Sequence, residues 1–372
     1  MRVTDATPAP VRRPAIGEAP EVRDRRSAGP ARSGCRFGRG PGRSEGKGGG
    51  DAMPELPEVE TVRRGLQSSL SGRRIAAVDV RLPRLIRSPE PEAFCRRLVG
   101  RTFGRIDRRG KYLLLALSPD VLVVHLRMEG KFDLVPAGTP EPPHVHVVFL
   151  LDDGRELRYR DVRQFGTFDL VPEAHLAAFP PLAALGPDAL DPAWDLPALL
   201  ARLGRHRRRP IKALLLDQTI VAGIGNIYAD EALFRAGIHP RRPAGSLRPD
   251  EAAALWSAVR GVLEDSIARG GASVRSYRGP NDALGYFQLA LAVYGREGEP
   301  CPRCGTAIER TVVAGRGSRF CPRCQPEVGA ENGRAPSAST ERPPASAAGA
   351  LAACRSARHS AASAAPAGEG RR

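Results

Sequence analysis

The fold is decided by the stretch Met53-Pro54-Glu55-Leu56-Pro57-Glu58-Val59-Glu60. Proline suits the first turn of a helix, and acidic side chains suit the positive end of the helix dipole. Apolar residues then recur at helical spacing, at Val59, Val62, Leu66 and Leu70, and would form one buried stripe. The stretch therefore predicts a helix that starts just after Pro54.

Pro54 can also be read as a reactive group. A proline with a free α-nitrogen is a secondary amine, which can attack an aldehyde-level carbon and form a cationic iminium. An unperturbed α-amine titrates at about 8, so a useful fraction is neutral near pH 7, and the adjacent Glu55 could carry the protons. This chemistry requires that translation start at Met53 and that Met53 be removed. In a chain that keeps Met1, the Pro54 nitrogen is an inert amide.

The composition favours a polyanionic partner. The chain has 372 residues, enough for two or three domains, and a formal net charge of +16. Residues 1–52 contribute +5 and residues 326–372 contribute +2, which leaves +9 for residues 53–325. The excess is thus not confined to the tails, and nucleic acid becomes a plausible partner.

Four of the seven cysteines lie in two CxxC pairs, at Cys301, Cys304, Cys321 and Cys324. This spacing is typical of a structural zinc site in a reducing compartment, and four closed thiolates suit tetrahedral Zn²⁺ better than a redox dithiol or an iron–sulfur cluster. The intervening residues predict a β-hairpin with strands at Ala307–Val313 and Ser318–Cys321. Arg316, flanked by glycines, would occupy its tip. We expect one Zn²⁺ that holds this hairpin.

No apolar run approaches the length of a membrane span, and no signal peptide with an apolar core is visible. We therefore expect a soluble, cytoplasmic monomer without a membrane partner.

The pattern of short apolar runs changes along the chain, and this change predicts an α+β multidomain protein. Short runs rich in β-branched and aromatic residues, separated by turn signals, predict an antiparallel sandwich or barrel packed against the first helix. These runs are Ile75–Val80, Thr102–Asp107, Tyr112–Leu117, Val121–Leu126, His144–Leu151, Arg155–Arg160 and Thr167–Val171.

After residue 195 the periodicity becomes helical. Helices are predicted at Leu196–Leu203, Ile211–Gln218 and Ile227–Ala236, and Asp250 is expected to cap a long fourth helix. The predicted organisation is a disordered extension (1–52), a β-sandwich domain (53–172), a linker (173–195), a helical domain (196–295), a zinc finger (296–325) and a disordered tail (326–372).

A glycine-rich turn, Val221-Ala222-Gly223-Ile224-Gly225-Asn226, joins two of these helices. Two glycines before a helix let backbone amides and Asn226 approach a phosphate closely. A basic run precedes the turn and includes Arg208 and Lys212. Beside a phosphate-binding turn, such a run suits the DNA backbone, although charge runs are usually only solvated surface.

The stretch at residues 53–60 resembles the start of bacterial formamidopyrimidine-DNA glycosylases, repair enzymes that excise oxidised purines. Further matches follow in the family's order up to residue 325. They are Arg109-Gly110-Lys111-Tyr112, His125–Gly130, Asp161–Gly166, the glycine-rich turn through Glu231, and the four cysteines. The resemblance implies an N-terminal helix with an antiparallel β-sandwich, a helix-two-turn-helix domain and a C-terminal zinc-finger hairpin.

The resemblance also implies the roles of individual residues. Pro54 would be the nucleophile and Glu55 the acid and base. Lys111 would assist β-elimination, and Arg316 would assist δ-elimination. DNA contacts are implied or expected at His144, Arg163, Arg208, Lys212, Asn226, Met128 and Phe165. Among these, Met128, Arg163 and Phe165 would form a wedge that fills the space left by a flipped base.

The implied activity is excision of 8-oxoguanine and formamidopyrimidines from damaged double-stranded DNA, followed by strand cleavage, in a nucleoid-associated protein. Some positions depart from the family pattern: Gln164 replaces a second Arg, Glu129 replaces a Ser, and the lesion loop Ser273–Tyr277 is altered. These departures leave open an oxidised-pyrimidine glycosylase, which Leu56 disfavours. A second alternative, a non-catalytic DNA-binding protein, stays open for a chain in which Pro54 is internal.

Overall fold

The computed structural model describes residues 54–272 and 286–327. The predicted N-terminal extension, the altered lesion loop and nearly all of the predicted C-terminal tail lie outside these described residues.

The first half of the described chain is a helix packed on two β-sheets. Helix α1 spans Leu56–Leu70, as predicted. Its stripe of Val59, Val62, Leu66 and Leu70 is buried and belongs to the same core as residues from both sheets, such as Phe149 and Phe168. The predicted sandwich is therefore confirmed, and α1 is part of its core.

The two sheets are almost entirely antiparallel. One has the strand order β1-β7-β8-β6, and the other has the order β2-β9-β5-β4-β3, in which only β2 and β9 pair in parallel. The strands are β1 (Ile75–Val80), β2 (Ile86–Ser88), β3 (Ile106–Arg109), β4 (Tyr112–Leu117), β5 (Asp120–His125), β6 (Lys131–Pro136), β7 (Val145–Leu151), β8 (Arg155–Arg160) and β9 (Thr167–Pro172), and helix α2 spans Pro91–Leu98.

Two strands were not predicted, and one was placed too early. The sequence placed a strand at Thr102–Asp107, whereas β3 begins at Ile106. Strand β6 was missed because Lys131, Asp133 and Pro136 interrupt its apolar pattern. It lies at the edge of its sheet and pairs only with β8, where polar residues and a terminal proline are tolerated.

The second half of the described chain is mainly helical. After the short helix α3 (Pro180–Ala183), the helices are α4 (Leu196–Arg205), α5 (Ile211–Leu215), α6 (Asn226–Ala236) and α7 (Pro249–Ala268). The face of α7 predicted to be apolar is buried at Leu255, Val259, Val262 and Leu263. Within the described ranges, none of the helices combines the length and apolar character needed to cross a membrane.

Two predicted helix ends were wrong. Helix α5 stops at Leu215, because the side chain of Gln218 closes a turn instead: it accepts a hydrogen bond from the Gly223 amide at 3.0 Å and donates one to the Ile224 carbonyl at 2.8 Å. Asp250 lies inside the first turn of α7 and does not cap it. The Glu251 carboxylate reaches back to the Arg248 amide at 2.8 Å.

A buried histidine ends strand β5 and shapes the loop that follows. The Nδ1 atom of His125 accepts a hydrogen bond from the Arg127 amide at 3.0 Å. Arg127 has a left-handed φ of 57°, which is costly for a side chain with a Cβ and needs such support. Burial and the positive charges of Arg127 and Lys111 lower the pKa of His125 to about 3. The ring is therefore neutral in the folded protein.

This histidine predicts a loss of stability in acid. In the unfolded chain it titrates near about 6.5, so below that pH the unfolded state binds a proton that the folded state excludes. Its contribution is complete above pH 6.5 and is lost as the pH falls toward 3, at up to about 1.4 kcal/mol per pH unit. The change His125→Asn keeps an acceptor but does not titrate, so its free energy of unfolding should fall less between these pH values.

Denaturant unfolding from pH 7 to pH 4 measures this difference. The change His175→Asn, at an exposed position, is the control and should leave the pH dependence as it is. Parallel curves for the unaltered protein and His125→Asn would refute this assignment.

Candidate active site and nucleic-acid interface

The Glu55 carboxylate lies on the N-terminus of helix α6. Its two oxygens accept hydrogen bonds from the Ile227 amide at 3.0 Å and the Tyr228 amide at 3.4 Å. The side chain is 2% exposed. Burial raises the pKa of Glu55, and the charge of Lys111 and the helix amides oppose this rise. The residue that precedes α1 thus places a buried carboxylate against the N-terminus of a helix in the helical half.

The glycine-rich turn accommodates this segment. The Leu56 amide donates to the Gly223 carbonyl at 3.1 Å. A Cβ at Gly223 would come within 2.5 Å of the Leu56 side chain, and a Cβ at Gly225 would come within 2.2 Å of the Glu55 carboxyl carbon. The sequence predicted that these glycines let a phosphate approach. In the structure, the group that approaches the backbone is the chain's own Glu55.

Lys111 is brought into the same electrostatic environment. It is 6% exposed, and burial lowers its pKa against the attraction of Glu55 and Glu58, while the charge of Arg316 lowers it further. Lys111 therefore interacts electrostatically with both of the other predicted catalytic charges, Glu55 and Arg316. Pro54 is buried directly beside Glu55.

The turn that carries Lys111 is tied to the predicted linker. Asp188 accepts a hydrogen bond from the Gly110 amide at 2.9 Å, and it pairs with Arg108 at 2.5 Å. Arg108 also donates to the Gly110 carbonyl at 2.9 Å. The linker therefore helps to fix the position of Lys111.

Glu58 is a second buried carboxylate that the sequence did not single out. It accepts hydrogen bonds from the Tyr228 hydroxyl, from the Ala272 amide at 2.8 Å and from the Glu55 amide at 2.9 Å. Burial and the negative charge of Glu55 raise the pKa of Glu58 to about 7. Its spacing of three residues from Glu55 was the available signal, but that spacing was interpreted only as a favourable helix charge.

A groove of about 730 Å³ lies between loops of the sandwich and the C-terminal hairpin. It brings together five of the predicted site residues, and its lining is Arg127, Met128, Arg163, Phe165, Asn226, Arg310, Gly315, Arg316, Gly317 and Arg319. Phe165 is 53% exposed, and the Arg163 guanidinium lies 5.2 Å from the centre of its ring. An exposed aromatic ring among arginines suits contact with bases and phosphates.

Two predicted DNA contacts lie elsewhere on the surface. His144, just before β7, and Arg208, after α4, are both exposed. Neither is among the described residues that line the groove.

Lys212 does not belong to an exposed basic run, so that expectation was wrong. It is fully buried and pairs with Asp230 at 2.6 Å. Its ammonium donates to the Ser318 hydroxyl at 2.7 Å and to the Gly317 carbonyl at 3.2 Å. The first turn of α5 directs this side chain inward, and Lys212 therefore anchors the hairpin that carries Arg316. Asn226 reinforces this anchor by donating to the Gly317 carbonyl at 3.0 Å.

The four predicted metal ligands converge. The sulfur atoms of Cys301, Cys304, Cys321 and Cys324 all lie within 4.8 Å of one another. This spacing fits four thiolates that together coordinate a single Zn²⁺, each with a Zn–S distance of about 2.3 Å. The hairpin consists of β10 (Glu309–Val313) and β11 (Arg316–Phe320). Arg316 is the first residue of β11 and pairs with Val313, so the turn itself is Ala314-Gly315.

Three family models match the chain. They are the formamidopyrimidine-DNA glycosylase N-terminal domain at residues 53–168, the formamidopyrimidine-DNA glycosylase H2TH domain at residues 185–278, and the zinc finger found in FPG and IleRS at residues 298–326.

Individual proteins also match most of the chain. The chain is 52% identical over 274 residues to a formamidopyrimidine-DNA glycosylase of Geobacillus kaustophilus (strain HTA426), which covers 73% of this chain and 100% of the relative. A solved complex of Lactococcus lactis FPG with Fapy-dG-containing DNA aligns with a TM-score of 0.68 and 38% identity, over 73% of this chain and 100% of that one. A complex of MutM with carbocyclic 8-oxo-G DNA gives a TM-score of 0.69 and 38% identity, over 74% and 100%.

The contact between Gly225 and Glu55 predicts a sharp intolerance. Gly225→Ala would force a methyl group into the Glu55 carboxyl and should destabilise the protein by about 1–3 kcal/mol, the usual cost of overpacking. Gly204→Ala is the matched control, because a Cβ there meets no atom within 4 Å. Denaturant unfolding of both variants tests the contact, and equal stability of the two would contradict it.

Loss of one zinc ligand should release the hairpin. In Cys321→Ser we expect zinc content to fall and the amides of Arg316–Phe320 to exchange hydrogen faster, because the metal joins the two ends of this small module. Cys95→Ser, a half-buried cysteine outside the cluster, should change neither quantity. Unaltered exchange in Cys321→Ser would show that zinc does not hold the hairpin.

Proposed function

The chain belongs to the formamidopyrimidine-DNA glycosylase family of base excision repair enzymes with abasic-site lyase activity, and we propose that its nucleophile is the α-amine of Pro54. In the active form, Pro54 is the N-terminal residue. The observation that carries this proposal is the position of Glu55: a buried carboxylate, fixed by the amides of α6, lies one residue from that amine and in the electrostatic range of Lys111. The 53–168 match, which begins one residue before Pro54, gives further support.

The substrate is an oxidised purine, 8-oxoguanine or a formamidopyrimidine, in duplex DNA. The Pro54 nitrogen attacks C1′ of the damaged nucleotide, the N–C1′ bond forms and the glycosidic bond breaks. The base leaves with a proton. That proton is the one the amine loses, and the sugar ring, once its oxygen is protonated, opens to give a cationic iminium.

Glu55 moves the protons of this step. Burial raises its pKa and so favours the protonated carboxyl, which gives its proton to the ring oxygen of the sugar as the ring opens. The amides of Ile227 and Tyr228 then stabilise the anion that remains.

The iminium makes the hydrogen on C2′ acidic, so that the ionised Glu55 can take it as a proton while β-elimination expels the 3′ phosphate. Lys111, whose pKa burial lowers, serves as a proton donor in this elimination. Arg316 assists the second elimination, in which the 5′ phosphate leaves and a one-nucleotide gap remains. Its place in the groove and its electrostatic coupling to Lys111 support this role.

The groove receives the duplex. Met128, Arg163 and Phe165 enter the stack where the lesion was, while Asn226 contacts a phosphate. His144 and Arg208 contact the DNA backbone farther out. Lys212 acts on DNA only through the hairpin that it anchors. The chain carries one structural Zn²⁺ at its four cysteines.

We retain the domain boundaries 53–172, 173–195, 196–295 and 296–325. The first and third matched segments end or begin within a few residues of these bounds, whereas the H2TH match at 185–278 begins inside the proposed linker. Residues 1–52 and 326–372 are proposed to take no part in catalysis. The protein is further proposed to act as a monomer on the cytoplasmic nucleoid, and the bacterial relatives support this location.

Borohydride trapping tests the nucleophile. Protein produced from Met53 should become covalently attached to abasic-site DNA, whereas Pro54→Gly should lose most of the adduct because a primary amine on a flexible residue replaces the rigid secondary amine. Glu55→Gln should block base excision far more than DNA binding. Undiminished trapping without Pro54 would overturn the assignment.

A side-by-side assay defines the substrate class. Excision of 8-oxoguanine should exceed excision of thymine glycol from otherwise identical duplexes. The reverse order would identify an oxidised-pyrimidine glycosylase. DNA binding without any trapped adduct would instead identify a non-catalytic DNA-binding protein.

A further inference from the structure

One buried carboxylate organises the loops that would form the wedge. Asp161 follows strand β8 and is fully buried. Its side chain accepts hydrogen bonds from the Arg163 amide at 3.1 Å, the Phe165 amide at 2.9 Å and the Gly166 amide at 2.8 Å. The loop from Arg163 to Gly166 is thus wrapped around this single anion.

The backbone of this loop is strained, and the hydrogen bonds to Asp161 stabilise it. Gln164, at its middle, has a left-handed φ of 58°, which is unfavourable for a residue with a Cβ. The Gln164 amide also donates to the Asp161 carbonyl at 3.2 Å. These contacts present Phe165 to the groove with more than half of its surface exposed.

Tyr159 links this loop to the one that carries Met128. Its buried hydroxyl donates to Asp161 at 3.3 Å. The same hydroxyl lies under two glycines: a Cβ added at Gly130 would be 2.2 Å from it, and one at Gly166 would be 1.7 Å from it. Both loops therefore pack against the same tyrosine hydroxyl, which fixes their positions relative to each other.

The backbone of Asp161 also contacts a third segment, the residues at the start of strand β7. Its amide donates to the His144 carbonyl at 3.0 Å, and a His146 ring nitrogen lies 3.0 Å from its carbonyl oxygen. His144 itself has a left-handed φ of 69°. One residue thus joins the segments that present His144, Arg163 and Phe165.

We propose that Asp161, together with Tyr159, is a positioning residue that makes Met128, Arg163 and Phe165 enter the duplex as one unit. This inference rests on the proposed function and deepens it, because it assigns base extrusion to a pair of residues that do not touch DNA. Asp161 and Tyr159 supply geometry only, and the chemistry at Pro54 does not involve them.

The test compares two duplexes that differ only in what lies opposite the lesion. In one, 8-oxoguanine pairs with cytosine, so the wedge must break a base pair and fill the gap. In the other, 8-oxoguanine faces a tetrahydrofuran abasic analogue, so no pair has to be broken. Single-turnover excision is measured for the zinc-loaded protein produced from Met53.

Asp161→Asn replaces one acceptor oxygen with an NH₂ group, a hydrogen-bond donor that would face the donating N–H groups of the loop. It should slow excision at least tenfold on the cytosine duplex and less than threefold on the tetrahydrofuran duplex. Tyr159→Phe removes only the hydroxyl and should give a smaller loss with the same selectivity. The matched control is Asp120→Asn. Asp120 is a buried carboxylate at the start of β5 that pairs with Arg97, and its substitution should preserve both rates.

An equal loss on the two duplexes, or full activity of Asp161→Asn on the cytosine duplex, would overturn the proposal. If Asp161→Asn does not fold, Tyr159→Phe decides by the same comparison. Failure of the unaltered protein to excise 8-oxoguanine from either duplex would count against the proposed function itself, which keeps the two failures distinct.

Discussion

The arrangement depends on one contact: the carboxylate of Glu55 against the N-terminus of helix α6. Helix α1 belongs to the sandwich core, whereas α6 belongs to the helical half. The bond between them therefore fixes the position of Pro54 relative to both halves. The contact needs Gly225, because any side chain there would meet the carboxyl group. A helix N-terminus stabilises an anion, and here the anion is also the proposed acid and base.

Around this contact the protein buries charge that it would otherwise keep in water. Glu55, Glu58, Lys111, Lys212 and Asp230 are all almost fully buried. Burying a charge is costly unless it is paired or hydrogen-bonded, and each of these groups has such partners or a nearby opposite charge. The arrangement shifts the pKa of a carboxyl upward and that of an ammonium downward, as proton transfer requires. One of these pairs, Lys212 with Asp230, also holds the zinc hairpin against α6, because both side chains hydrogen-bond residues of β11.

Local patterns in the sequence predicted much of this. The apolar stripe of α1, most strands of the sandwich and the four metal ligands follow from spacing alone, because each depends on residues close in the chain. Lys212 could not be placed in this way: its partners, Asp230 and Ser318, are distant in sequence, and a lysine beside four arginines looks like surface. Glu58 was overlooked for the same reason, since two of its partners, the Tyr228 hydroxyl and the Ala272 amide, are distant in sequence. The partners of the Asp161 side chain are close in sequence, but the loop conformation that turns their amides toward it leaves no periodic pattern in the sequence.

The central claim is that the Pro54 nitrogen is a free amine in the working protein. The most direct measurement is the intact mass and N-terminal residue of the protein isolated from its native cell. The account predicts a chain that begins at Pro54. A mass that includes Met1 would mean that the nitrogen is an amide, and the proposed nucleophile would then be ruled out.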